Sequence, residues 1–474
     1  MAKMPVAMSA LRRTMGARHS PSLAEDLGSL LGATSSLIEQ MLDWEQHLPA
    51  AELRKPEALR ALAAIGPQGR SAAEVLERLG EVMRATPSTS SPRFLNQLFG
   101  GREPLATVAE MLTAVTNVSM YTFKAAGAQV LVENEVLRRM LAASGMPAGE
   151  GTFTPGGSIA NLVALVLARN AAAPTARDYG LGGRRLAIYT SAEGHYSIPK
   201  AAGIVGIGRA QVRAIAVDGQ GRMSVPALAA RIEADLAAGV VPALINATAG
   251  TTVRGTFDPI RELRGLADQC GAWLHVDGAL GGSLILSPLH RHLLDGVELA
   301  DSFAWNPHKM MGVPLQASAL LVARSGTLAA SLDESADYLF QSDGEDLNPG
   351  HRSIQCGRRN DALKLWAAWQ HLGDRGWAER LDRQMALAQH AADLIEADPQ
   401  LELAERPVSI NVNFEVRGCP SELVCERLDQ RSRLKIGYGR VGERSTIRLV
   451  CVNPALQPRD LEWILDEIKA AAHS

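Results

Sequence analysis

Ser302-Phe-Ala-Trp-Asn-Pro-His-Lys309-Met-Met-Gly312 reads as a short apolar strand ending at Trp305, a polar turn with one lysine, and a return to apolar chain. A lysine between a buried strand and Met310-Met-Gly-Val-Pro314 is partly desolvated, which lowers its pKa and suits it to join a carbonyl compound. A lysine that lays its stem on apolar surface and keeps its ammonium in water fits the same spacing. Outward from this stretch, short Val/Ile/Leu-rich runs at 186–190, 212–217, 243–247, 273–276, 302–305 and 318–322 alternate with segments long enough for crossovers. That is the pattern of an α/β domain with a mostly parallel, buried sheet. His275-Val-Asp277 closes one of the runs, so Asp277 falls at the carboxyl end of a strand, where open α/β sheets bind ligands. A carboxylate there needs a cation or donors; a helix N-cap is the plainer alternative.

Residues 1–90 read as helices, and Thr86-Pro-Ser-Thr-Ser-Ser-Pro92 interrupts them. Beyond 366 the texture changes: helix over 366–397, strand over 409–416, helix over 421–431, strand over 446–452 and helix over 459–472. The expected organisation is therefore an N-terminal helical segment (1–90), a large α/β domain (91–365) and a small C-terminal α+β domain (366–474). Lys3, Arg12, Arg13 and Arg18 occur with no acid among the first 20 residues. That balance has something of a transit peptide, but we read the segment as an arm that clasps a partner.

Thr154-Pro-Gly-Gly-Ser158 precedes a helical stretch from Ile159. Backbone N–H groups at a helix start, small residues and a hydroxyl make an anion cradle, although any serine cap looks similar. Asn306 and His308 flank Lys309 and add donors. Glu193-Gly-His195-Tyr-Ser197 follows another strand, and its flat imidazole could stack on a ring or be an ordinary loop histidine.

The 474 residues are 46% hydrophobic and 21% charged, with 48 Lys+Arg against 51 Asp+Glu and a net charge of −3. This excludes a disordered, collagenous or coiled-coil chain. The weak acidity and 4% aromatic content argue against nucleic acid or an anionic membrane as partner. No uncharged stretch is apolar enough to span a bilayer. The five cysteines (270, 356, 419, 425, 451) form no CxxC, so reduced thiols in the cytoplasm are expected, with neither disulfides nor a metal site.

Asn306-Pro-His-Lys-Met-Met-Gly-Val-Pro-Leu-Gln316 resembles the lysine motif of the group II pyridoxal phosphate (PLP)-dependent amino-acid decarboxylases. It is most similar to the glutamate and cysteine-sulfinate branch. Pro92-Arg-Phe-Leu-Asn-Gln-Leu98, Gly194-His-Tyr-Ser197, Ala247-Thr-Ala-Gly-Thr-Thr252, Tyr338-Leu-Phe-Gln341 and Gln355-Cys-Gly-Arg-Arg359 match in the same order. The resemblance covers roughly residues 90 to 474.

The resemblance implies the type I, aspartate-aminotransferase-like fold, a homodimer with active sites at the subunit interface, and PLP as cofactor. Lys309 then joins the cofactor, Asp277 pairs with the pyridinium nitrogen, His195 stacks on the ring and Ala279 packs on its other face. Gly157, Ser158, Asn306 and His308 hold the phosphate, and Thr248 lies near the ring's substituents. Tyr338 reaches the substrate carbon from a loop, and Gln97 and Arg448 contact substrate carboxylates. The implied activity is α-decarboxylation of an acidic L-amino acid: glutamate, aspartate or cysteine sulfinate. Transamination, aldehyde-forming decarboxylation and a non-catalytic PLP-binding scaffold are the alternatives; the presence of Tyr338 favours simple decarboxylation. Some positions depart from the pattern. Gly278 and Leu280 stand where the branch has alanine and tryptophan, and the lost ring is expected to open space beside the cofactor. Lys124 lies in a stretch that is usually more acidic, and the loop between Phe340 and Cys356 is short.

Overall fold

The computed structural model describes residues 23–47, 56–334 and 347–473. The chain divides into two compact units, Met1–Ser88 and Thr89–Ser474. In the first unit the longer helices are α1 (Leu23–His47), α2 (Pro56–Ala63) and α3 (Ala72–Arg84). Helix α3 starts with a capping box: the Glu74 N–H donates to Ser71 Oγ and the Ser71 N–H to the Glu74 carboxylate.

In the second unit a seven-stranded sheet contains β1 (Glu150–Phe153), β2 (Leu186–Ser191), β3 (Val212–Ile215), β4 (Val241–Thr248), β5 (Trp273–Gly278), β6 (Ser302–Trp305) and β7 (Ala319–Val322). The spatial order is β1-β7-β6-β5-β4-β2-β3. Strand β7 is antiparallel to both neighbours, and the other pairings are parallel. The larger helices of this unit are α4 (Pro104–Thr116), α5 (Ala128–Ala143), α6 (Gly157–Ala172), α7 (Ser197–Ile204), α8 (Val225–Ala237), α9 (Ile260–Cys270), α10 (Asp361–Ala397), α11 (Ser421–Arg431) and α12 (Pro458–Ala472). A second, antiparallel sheet has β8 (Leu401–Leu403), β9 (Asn411–Val416), β10 (Gly437–Val441) and β11 (Arg444–Val450) in the order β10-β11-β9-β8.

Alternation along the large sheet explains its apolar runs. Ala187, Ile245, Leu274, Val276 and Phe303 join one apolar cluster, whereas Ile188, Leu244, Trp273 and Ala304 join another with Ala160 and Ala164 of α6. Both faces are covered, so both sets of side chains must be apolar. His275 and Asp277 fall on the α6 face by the same period of two. They are buried and join a hydrogen-bonded set of other buried polar residues on that face, among them Asn161, Ser197 and Ser302.

All six strands expected in the large domain are present. Strand β1 was not foreseen, because Glu150-Gly-Thr-Phe shows neither alternation nor a β-branched run. Helix α10 starts at Asp361 rather than 366, where Asn360 caps it by accepting from the Ala362 and Leu363 N–H groups. No described helix is long and apolar enough to cross a membrane.

Candidate active site

The carboxyl ends of β4, β5 and β6 bring Thr248, Asp277 and the turn after Trp305 to one edge of the sheet. Thr248 and Asp277 are register partners, as are Asp277 and Ala304. The Asp277 carboxylate is buried and accepts from Asn161 Nδ2 (2.7 Å) and the Ala279 N–H (3.1 Å). Thr248 Oγ1 is buried without a hydrogen-bond partner, while the Thr248 N–H donates to Asp258 (2.8 Å).

Lys309 lies in a turn in which its N–H donates to the Asn306 carbonyl and the Gly312 N–H donates to its own carbonyl, both at 3.0 Å. Burial, the largest influence, lowers its pKa from the ordinary lysine value. Asp277 opposes that shift and Arg448 adds to it. These three charges lie within electrostatic reach of one another. His195 stands at a turn where Gly194 is required: a Cβ there would come within 2.5 Å of Thr190 Oγ1. Its Nδ1 faces Ser197 Oγ (2.8 Å). Burial lowers its pKa, with Asp277 acting against the shift and Lys309 with it.

An anion cradle is built around the start of α6. Gly156 has φ 94°, which brings the chain into the helix without a side-chain cap. The N–H groups of Gly157 and Ser158 belong to the first turn and have no intrahelical acceptor. A Cβ on Gly157 would sit 2.7 Å from Asn306 Nδ2 and 3.3 Å from Ala279 Cβ, so glycine holds these groups close to the helix start. Asn306 is oriented by Ser318, whose hydroxyl donates to its Oδ1 (2.6 Å). His308 is buried, its Nδ1 faces the Ala317 carbonyl (2.6 Å), and burial pushes its pKa down to about 4. Unused helix N–H groups, an amide donor and an unpartnered hydroxyl beside a desolvated lysine and a buried carboxylate fit a phosphorylated ring aldehyde.

On the small sheet, Arg448 of β11 donates to the Thr252 carbonyl (2.8 Å) and the Asn96 carbonyl (2.6 Å). Its Nε is buried and unpartnered, and no carboxylate among the described residues pairs with it. Gln97, next to the Asn96 carbonyl, is exposed. Tyr338 lies outside the described residues. Leu280 corrects one expectation: it is buried in the main apolar cluster, its Cβ 3.1 Å from where a Cβ of Gly250 would lie, so its side chain is core.

Residues 58–417 match the pyridoxal-dependent decarboxylase conserved domain. The chain belongs to the pyridoxal-dependent decarboxylase family. It is 40% identical to human cysteine sulfinic acid decarboxylase over 88% of this chain and 90% of that one. It is 37% identical to a bovine acidic amino acid decarboxylase over 88% and 85%. The crystal structure of mouse CSAD superimposes with a TM-score of 0.90 at 35% identity, covering 95% of this chain and 99% of that one. The fold is that of the PLP-dependent decarboxylases, PLP is the cofactor, and the protein is an amino-acid decarboxylase.

Sequence reasoning did not single out Asn161 or Ser197 as members of this site. Asn161 is one turn into α6, and its only sequence signal is a polar residue on the apolar face of a helix that starts at a glycine cradle.

Proposed function

We propose that this decarboxylase acts on a small acidic L-amino acid, namely cysteine sulfinate, aspartate or glutamate, and releases the amine and carbon dioxide. The observation that supports this reading is Arg448, a largely buried guanidinium held by two backbone carbonyls with no acid among the described residues to neutralise it. Such a charge is tolerable when an anionic substrate completes it, and a planar fork suits a carboxylate or sulfinate. Gln97 adds a neutral donor on the same segment as Asn96.

When bound, PLP supplies the electron sink for the pair left on Cα as carbon dioxide departs. Lys309 would provide the amine that holds the cofactor. Asp277 keeps the proton on the ring nitrogen. His195 and Ala279 pack against opposite ring faces, and Thr248 contacts the ring's substituents. Gly157, Ser158, Asn306 and His308 hold the phosphate. Arg448 and Gln97 would bind and orient the substrate, and Tyr338 would return a proton to Cα. The working form is a homodimer with active sites at the interface, in the cytoplasm. Leu105, Val108, Met111, Leu112 and Val115 of α4 are exposed in the single chain, an apolar face that a second copy would cover.

Measuring carbon dioxide and amine across a panel of amino acids tests the reading. Turnover confined to acidic substrates is expected. Turnover only of aromatic or basic amino acids refutes it, and keto-acid or aldehyde products in place of amine favour the alternative chemistries.

A further inference from the structure

Six side-chain hydrogen bonds on the α6 face of the large sheet form one connected chain. Trp273 Nε1 can only donate, and it donates to Ser302 Oγ (2.8 Å). Ser302 Oγ also lies 2.9 Å from Nδ1 of the buried His275 ring, and because the Asn161 amide nitrogen faces Asp277 and Ser197, the Asn161 Oδ1 faces His275 Nε2 and places the proton of the imidazole there. Burial pushes the His275 pKa down to about 4, so the ring is neutral and has one proton to give. That Nε2–H donates to Asn161 Oδ1 (3.0 Å). Both hydrogens of the Asn161 amide are then committed, one to Asp277 Oδ2 (2.7 Å) and one to Ser197 Oγ (2.8 Å). The Ser197 hydroxyl in turn faces His195 Nδ1 (2.8 Å), which also receives the Ser197 N–H (3.2 Å). The Asp277 carboxylate, which only accepts, fixes which way the Asn161 amide faces, and the bonds out to Trp273 are consistent with that orientation.

We propose that Asn161 is a positioning residue of the decarboxylase. Its amide, locked by the Trp273–Ser302–His275 chain, fixes the Asp277 carboxylate at the cofactor ring nitrogen and joins it to the mount of the stacking His195. The proposal rests on the assignment of Asp277 and His195 to the PLP ring. Asn161 touches neither substrate nor cofactor and acts through these two groups. Aspartate in its place would keep the shape and lose the donors, setting a carboxylate against a carboxylate.

A double-mutant cycle tests this, read as the PLP dissociation constant of the full chain by fluorescence and as the ¹⁵N shift of ring-labelled bound PLP. Asn161→Ala and Asn161→Asp should each weaken PLP by about tenfold or more, the worth of one charge-assisted hydrogen bond. Both should also shift the ring-nitrogen signal away from its protonated position. In an Asp277→Asn background the same substitutions should shift the ring-nitrogen signal little and weaken PLP clearly less than in the parent, because the carboxylate is gone and only the His195 route remains. Asn161→Asp matches the parent in shape and carries the test alone if Asn161→Ala does not fold. Equal losses in both backgrounds, or an Asn161→Asp protein that behaves as the parent, overturn the proposal and leave Asn161 a packing residue. If Asp277→Asn alone leaves both readouts at parental values, the Asp277 assignment falls, and the proposal falls with it.

Discussion

Replacing Arg448 by lysine keeps the charge and removes the fork. The guanidinium has five N–H donors and spends one each on the Thr252 and Asn96 carbonyls, leaving enough to grip an anion. Lysine has three donors on one atom, and a single Nζ cannot serve two carbonyls from separate segments and both oxygens of a substrate carboxylate. The variant should lose at least one charge-assisted hydrogen bond to substrate and leave a backbone carbonyl poorly served. At about 1.5–3 kcal/mol for such a bond, kcat/KM should fall on the order of 10–150-fold. Arg448→Met, which removes the charge as well, should lose more. The assay is carbon dioxide release against substrate concentration, with circular dichroism to verify the fold. If both variants stay within threefold of the parent kcat/KM on every acidic substrate, Arg448 is a structural cross-link between the small sheet and the 250–256 turn, and the acidic-substrate reading loses its support.

Lys309→Ala should abolish turnover and the borohydride-trapped pyridoxyl link, and peptide mapping that places the link on another lysine would sink the assignment. Asp277→Asn should retain PLP and lower the rate by orders of magnitude, since a neutral amide stabilises a pyridinium poorly; near-normal turnover rules the role out. Tyr338→Phe should slow amine formation and raise aldehyde, ammonia and oxygen consumption, and parental amine yield without oxygen uptake would defeat its assignment as the proton donor. In the PLP-free protein, His275 and His308 are held neutral with pKa values of about 4, against ~6.5 when unfolded. The unfolded chain therefore binds more protons over that interval, and stability falls as pH drops from ~6.5 to about 4. Asp258 acts oppositely, because burial pushes its carboxyl up to about 6 and folding retains a proton there. Two histidines outweigh one carboxyl, so the urea midpoint should decrease through this window, and a midpoint that rises on acidification contradicts the balance.

How much was legible in the sequence depended on whether a residue's partner was near it in the chain. The strand–turn–lysine pattern at 302–312 is local, and it pointed to the strand, the buried lysine and the two polar side chains beside it. The runs at β4, β5 and β6 were readable because burial on both faces leaves a continuous apolar stretch. Strands β8 and β10 were not, since Leu401–Leu403 is three residues long and Gly437-Tyr-Gly-Arg-Val441 breaks alternation with glycine and arginine. Asp277 was visible as a carboxylate at a strand end, but its donor Asn161 lies more than a hundred residues upstream. A polar side chain on an apolar helix face gives no sign of what it meets. Leu280 was misread for the same reason: a missing aromatic ring says that volume has changed, and only the packing around Gly250 says on which side.

The reversed direction of β7 has a consequence for how this site assembles. Parallel neighbours such as β5 and β6 need a crossover, and their pairing closes a long loop. Strands β6 and β7 are antiparallel and joined by 306–318, so the chain leaves and re-enters the sheet at one edge. Lys309, Asn306, His308 and the orienting Ser318 all ride on that single connection. A hairpin of this kind pairs through contacts of low sequence separation, which form faster than distant ones. The lysine and its phosphate-side neighbours thus take up their mutual arrangement as one local event. Thr154 and the helix start at Gly157 depend instead on β1, far upstream, which pairs antiparallel on the outer side of β7. A chain with the hairpin formed and β1 undocked would carry the lysine in place yet lack the N–H groups of the helix start.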